Sequence, residues 1–115
     1  MGRIYDPAPA GALRVLVDRL WPRGVRKEGV PWDLWLKDVA PSDGLRRWYH
    51  AHPEGLEEFR LRYRAELGEG AAAAALARLA ELGTSRALAL LTSRHDLAAS
   101  HVPVVRDALL AWVAG

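Results

Sequence analysis

Two short polar stretches follow the two most apolar segments of the chain and hold the side chains best suited to chemistry. The first contains Asp18, Arg19 and Arg23, and the second contains Ser93 and Arg94. An arginine side chain binds two oxygens of a phosphate or carboxylate in one plane. We therefore expect Arg19, Arg23 and Arg94 to converge on one concave anion site that Asp18 helps to orient.

Three further residues complete the candidate site. Trp21 lies between two arginines of the first stretch, and Arg46 is a further anion contact. His101 and Asp18 are the candidate catalytic pair, with His101 as the proton carrier because a carboxylate beside arginines favours its charged form. In the alternative reading, Asp18 only pairs with a nearby arginine and steadies the loop.

The apolar segments before the two polar stretches have the composition of buried strands. Residues 13–17 and 87–91 are nearly continuous runs of aliphatic side chains, and helical patterns separate them. This arrangement predicts two adjacent parallel strands whose carboxyl ends meet at one edge of the sheet. A last helix, predicted over residues 100–113, would aim free amides at this edge, together with Ser100 or His101.

The other segments predict a short edge strand, three more helices and one irregular connection. Residues 3–6 are the edge strand, and residues 25–41 are a long connection or a short helix that tryptophans and leucines attach to the core. Ser42 is the expected cap of a short helix, and Pro53 suits the first turn of the next. Residues 71–82, rich in alanine, form the third helix.

The fold class that follows is α/β, with parallel central strands and helices on both faces of a small sheet. A chain of 115 residues, half of them apolar, predicts a single domain over residues 1–115. The chain has no cysteine, which excludes disulfides, thiolate catalysis and iron–sulfur clusters. With no apolar leader and no apolar stretch of membrane-spanning length, we expect a cytoplasmic protein without a membrane partner.

We expect neither a metal nor a cofactor. The four histidines do not have the spacing of metal ligands, and there is no glycine-rich phosphate loop or dinucleotide fingerprint. The five tryptophans raise the question of base stacking, but most aromatic residues lie on apolar stripes. The aromatic residues expected to be mostly buried are Trp35, Trp48, Phe59, Tyr63 and Trp112, whereas Trp21 lies in a loop.

Several motifs extend over nearly the whole chain: RVLVDRLWPRG at 14–24, WLKD at 35–38, APS at 40–42, and Leu45, Arg46, Phe59, Tyr63, Glu66 and Leu67. In these motifs the chain resembles the YeaO-like family. The family is a domain of unknown function, so the resemblance implies a small α/β fold and no reaction. Its pattern has an aromatic residue where Thr92 stands here, and an Asn-His-Ala triplet of which only the histidine, His101, is matched.

Three functions fit these residues. The first is a protein that binds a small ligand, with or without catalysis, in a pocket for a phosphate or carboxylate. The second is a nucleic-acid or regulatory module in which the arginines contact the phosphate backbone and Trp21 stacks on a base. The net charge is only +2, and Arg62 follows Glu58 at ion-pair spacing on a helix, so no basic face is evident. The third is a homodimer built on the tryptophan-rich segment 30–48.

Overall fold

Four parallel strands form the sheet of this computed structural model, which describes residues 2–3, 10–94 and 96–114. They are β1 (Gly2–Arg3), β2 (Leu13–Leu16), β3 (Leu34–Trp35) and β4 (Leu88–Thr92), in the order β1-β4-β2-β3. Leu13 of β2 pairs with Leu88 of β4, and Leu16 with Leu91. The α/β class and the adjacent parallel strands are confirmed.

Four helices and a 3-10 turn make up the rest of the described regular structure. They are the turn Lys37–Val39, α1 (Asp43–Ala51), α2 (Leu56–Leu67), α3 (Gly70–Gly83) and α4 (Val102–Ala114). Ser42 caps α1 as predicted, because its hydroxyl accepts the N–H of Leu45 at 3.2 Å. Pro53 lies in a turn before α2, not in its first turn. There the backbone closes tightly, and a Cβ on Gly55 would lie 2.7 Å from the ring of Trp48.

The two faces of the sheet are covered differently, which corrects the expectation of helices on both faces. On one face, Val15, Val17 and Leu90 pack against buried side chains from all four helices. On the other face, Leu16 and Leu91 pack against the connection from β2 to β3 and against β3 itself. The residues that cover this face are Val25, Val30 and Trp32 of the connection and Trp35 of β3. Prolines and glycines interrupt that connection, so tryptophans cover this face instead of a helix.

An exposed clamp holds β3 beside β2. The guanidinium of Arg14 donates to both carboxylate oxygens of Asp33, from Nε at 3.2 Å and from Nη2 at 2.9 Å. The backbone N–H of Arg14 donates to the same carboxylate at 2.9 Å. These contacts hold the pKa of Asp33 at about 2, below its usual value, because each of them favours the charged carboxylate.

The burial of the aromatic side chains agrees with the prediction in the centre of the core and differs at the end of α4. Phe59 and Tyr63 are 2% and 0% exposed, as predicted, whereas Trp35 and Trp48 are only partly buried. The prediction for Trp112 is wrong, since its side chain is 53% exposed. The end of α4 runs past the core, which the described side chains of this helix contact only as far as Leu109.

The predicted edge strand is described only in part. Arg3 pairs with Thr92 of β4 in parallel, and the rest of the predicted segment, residues 4–6, lies outside the described residues. His95 lies outside them too. Within the described ranges, every helix is too short or too polar to cross a bilayer.

Candidate anion site

A pocket of about 230 Å³ lies beyond the carboxyl ends of β2 and β4, the two central strands. The chain leaves β2 to cover one face of the sheet and leaves β4 to form α4 on the other, so a crevice opens between them. All eight predicted site residues meet here. The lining is Asp18, Arg19, Leu20, Trp21, Pro22, Arg23, Ala40, Pro41, Arg46, Ser93, Arg94 and His101.

The carboxylate of Asp18 is held by the residues that end β4. Its Oδ1 accepts the hydroxyl of Thr92 at 2.7 Å, and its Oδ2 accepts both the N–H and the hydroxyl of Ser93 at 2.8 Å. The side chain is only 11% exposed. Both carboxylate oxygens therefore serve in fixing the two loops together. Sequence analysis did not assign a role to Thr92.

His101 is a buried neutral imidazole that links the start of α4 to β2. Its Nε2 lies 2.7 Å from the carbonyl oxygen of Val17, which can only accept, so Nε2 carries the proton. Burial lowers the pKa of His101 below 6.5, against the raising effects of Asp18 at 3.4 Å and of the Val17 carbonyl. The charge of Arg94 lowers this pKa further. At neutral pH the ring adds no charge to the pocket.

The amino end of α4 does not offer the free amides that the sequence led us to expect. Ser100 is fully buried, and its hydroxyl accepts the N–H of Val102 at 3.2 Å. The amides of Val104 and Val105 both donate to the carbonyl of His101. Pro103, which lies between Val102 and Val104, has no N–H. The helix end is closed by its own chain, and Ser100 does not line the pocket.

Arg19 is held in place by the turn that precedes α1. Its Nε donates to the carbonyl of Pro41 at 3.0 Å, and its Nη2 donates to that of Ala40 at 3.1 Å. One edge of the guanidinium is thus bound to backbone, which the sequence did not indicate. A guanidinium has five N–H donors, and these two bonds leave three of them for other partners beside the pocket.

Arg46, on the first turns of α1, carries an unsatisfied donor. Its Nε is buried and has no hydrogen-bond partner within the described part of the chain. Its Nη2 lies 3.6 Å from Oδ1 of Asp43, a loose contact between partly exposed groups. Buried N–H groups nearly always have a partner, so this donor is an exception among the described residues.

Arg23 and Arg94 are the exposed arginines of the pocket. The guanidinium carbon of Arg94 lies 5.6 Å from the centre of the Tyr49 ring, close enough for a cation–π contact. Four arginines and one aspartate line the pocket, an excess of three positive charges. Among the residues that the structure describes, no cluster of three or more His, Asp or Glu is suited to a metal ion.

Trp21 forms a rigid part of the wall. Its indole N–H donates to the carbonyl of Val25 at 2.7 Å, and its ring meets Trp32 and Trp35 edge to face, with centres 5.0 and 5.5 Å apart. The side chain is still 38% exposed. The apolar neighbours of Trp21 in the wall, which sequence analysis missed, are Leu20, Pro22, Ala40 and Pro41.

Comparison with known proteins gives a consistent family and no reaction. Residues 1–114 match the family model described as the inactive DUF488-N3 subclade. The uncharacterized proteins Rv3073c of Mycobacterium tuberculosis and Mb3100c of Mycobacterium bovis are each 44% identical over 110 residues, which cover 95% of this chain and 91% of theirs. The uncharacterized protein YeaO of Escherichia coli is 38% identical over 106 residues, covering 91% of this chain and 90% of its own. No solved structure gives a significant match.

Proposed function

From the premise that this chain belongs to the YeaO-like family, in its inactive DUF488-N3 subclade, we propose that it binds a small anion, a phosphate or a carboxylate. The ligand lies in the pocket at the carboxyl ends of β2 and β4. The predicted family is thereby confirmed, and it brings no reaction with it. The description of this subclade as inactive favours binding without turnover.

The observation that carries this proposal is the gathering of four arginines, with one aspartate, around one pocket. The buried Nε of Arg46 has no partner in the described chain, which costs about 1–3 kcal/mol, and an anion oxygen that reaches it through a shift of the Arg46 side chain would remove that cost. Charge-assisted bonds from arginine to an oxyanion are also about twice as strong as neutral ones. The pocket therefore favours an oxyanion over a neutral ligand.

Asp18 and His101 act as positioning residues in this proposal. Asp18 uses both carboxylate oxygens on Thr92 and Ser93. The proton on Nε2 of His101 is bound to a backbone carbonyl, so this atom would have to leave Val17 before it could serve a ligand. The two residues predicted as an acid–base pair thus position other groups of the site, and their contacts do not favour proton transfer to a ligand.

Two contacts favour the pocket over the nucleic-acid alternative. On α2, Arg62 pairs with Glu58 at 2.8 Å and Arg60 with Glu57 at 3.4 Å, so these arginines do not form a free basic face. The homodimer alternative is disfavoured as well, because two tryptophans of segment 30–48 pack within their own chain. Trp32 is buried against the sheet of its own chain, and Trp35 packs beside it.

The test is calorimetric titration with inorganic phosphate and with acetate at low ionic strength. Replacing Arg46 by Lys keeps the charge and removes the Nε donor, so binding should weaken about tenfold or more. Arg64→Lys, the same change on an exposed part of α2 away from the pocket, should bind as the wild type does. The proposal is wrong if neither anion binds at millimolar concentration, or if both variants bind equally.

A DNA-binding measurement tests the nucleic-acid alternative. A labelled duplex of about two helical turns should show no saturable binding at physiological salt, because arginines gathered in one pocket reach few phosphates of a duplex. Tight binding with a steep salt dependence would replace the pocket by a nucleic-acid interface.

A further inference from the structure

The geometry points to a ligand that carries a planar aromatic body next to its anionic group, such as an aryl phosphate ester or an aromatic carboxylate. This inference rests on the proposed function and names the class of ligand. It follows from the composition of the pocket wall, which combines the guanidinium groups with an apolar part formed by Leu20, Trp21 and Pro22.

The apolar part of the wall includes two exposed side chains. Leu20 is 56% exposed and Trp21 is 38% exposed, and both line the pocket beside Pro22. An apolar wall with a few convergent charges is the usual make-up of a site for a small organic molecule. A site for bare inorganic phosphate would need only the charged side.

The indole of Trp21 can offer a ligand only its apolar surface. Its N–H is already bound to the carbonyl of Val25, so it has no donor left for a polar ligand group. Two edge-to-face contacts with Trp32 and Trp35 fix the ring plane in advance. A fixed aromatic surface loses little entropy on binding and favours another flat ring.

The pocket is large enough for a ring attached to an anionic group. Its volume of about 230 Å³ is several times the roughly 30 Å³ that one water occupies in the liquid. A bare phosphate or acetate bound at the orphaned Nε of Arg46 would leave the apolar side covered by water. A ring attached to the anion would displace that water from Leu20 and Trp21, which favours binding.

Matched ligand pairs test the inference. Methyl phosphate and phenyl phosphate carry the same charged group, as do acetate and phenylacetate, so each pair isolates the contribution of the ring. Calorimetric titration of the wild type should show phenyl phosphate or phenylacetate binding about tenfold tighter than its small partner. The ring-bearing ligand that binds more tightly, phenyl phosphate or phenylacetate, identifies phosphate or carboxylate as the preferred head group.

Two variants locate the ring. In Trp21→Ala, the preference for the ring should disappear, while the methyl ester or acetate still binds. In Leu20→Ala, at a more exposed position that is less apt to disturb folding, the preference should fall by about half on a logarithmic scale. Arg46→Lys should weaken both members of a pair by the same factor.

The outcomes separate the two proposals. If small anions bind but the ring adds nothing, the ligand class is wrong and the anion site stands. If the ring preference survives in both Trp21→Ala and Leu20→Ala, the ring lies elsewhere and the inference is overturned. If no member of either pair binds the wild type, the proposed function itself is wrong.

Discussion

The hydroxyl of Thr92 donates a 2.7 Å hydrogen bond to Oδ1 of Asp18 and joins two positions 74 residues apart in the chain. Thr92 is the last residue of β4, and Asp18 begins the connection after β2. Ser93 adds two further bonds to the same carboxylate. This network sets the distance between the loops that carry Arg19 and Arg94, and so holds the pocket open.

Replacing Thr92 by Val should lower the free energy of unfolding by about 1–3 kcal/mol. The change keeps the shape of a fully buried side chain but removes the donor to Asp18 and the acceptor of the Arg94 amide. Urea denaturation measures it. Thr84→Val, at an exposed position, is the matched control and should change stability by less than about 0.5 kcal/mol. Similar losses in both variants would show that the network is not stabilising.

Stability should fall as the pH drops below 6.5, and His101 should cause part of the loss. The unfolded chain binds a proton at this histidine near pH 6.5, whereas burial lowers the pKa of His101 in the folded protein. Below pH 6.5 the unfolded state therefore binds more protons, so acid favours unfolding. Above pH 6.5 neither state is protonated at His101, and this contribution to stability is fully present.

Urea midpoints at about pH 7.5 and about pH 5 measure this contribution. His101→Gln keeps an N–H donor for Val17 but cannot titrate, so its midpoint should fall less with acid than that of the wild type. His50→Gln, at an exposed position on α1, should lose as much as the wild type. Asp33 does not interfere, because its pKa of about 2 confines its stability loss to pH below about 4. An unchanged acid loss in His101→Gln would contradict the assignment.

Emptying the aromatic core should cost far more than trimming the end of α4. Phe59→Ala should lower the free energy of unfolding by about 3–5 kcal/mol, because the ring is buried and stacked on Tyr49 with centres 4.3 Å apart. Trp112→Ala removes a larger but exposed ring and should cost less than about 1 kcal/mol. Chemical denaturation of the two variants decides, and the reverse order would place Trp112 in an interface.

Arg19 and Arg46 should differ when no ligand is present. Arg19→Lys loses the two bonds to the carbonyls of Ala40 and Pro41, so we expect it to cost about 1–2 kcal/mol in the free protein. Arg46→Lys removes a buried Nε without a described partner, and with it the cost of leaving that donor unsatisfied, so it should not lower the stability of the free protein. Thermal unfolding in a buffer without phosphate or carboxylate measures the stability of both variants. Equal losses would mean that the Nε of Arg46 already has a partner.

The sequence predicted the place of the pocket because two simple rules act on adjacent residues. Residues 13–17 and 87–91 read as buried parallel strands, and parallel strands bring Asp18 and Ser93 to one edge of the sheet. Arg23, Arg94 and Trp21 follow from their positions in the same loops. The family resemblance drew on the same first motif.

The remainder depended on contacts between segments without periodic patterns. The connection after β2 has no helical or strand period, so its tryptophans did not reveal that they replace a helix on one face. The helix predicted over residues 100–113 placed Trp112 on an apolar face, but the pattern did not show where the core beneath that face ends. Similarly, a helix-end rule predicted free amides at α4, whereas Ser100 satisfies the amide of Val102.

The most direct test of the anion site is an NMR titration that observes the Nε–H of Arg46. Its resonance, assigned with Arg46→Lys, should shift progressively and saturate as inorganic phosphate is added, while the Nε–H of exposed Arg64 stays in place. Such a result would report an acceptor arriving at the orphaned donor. An unmoved Arg46 resonance at saturating phosphate, or equal drifts of both resonances with salt, would contradict the site.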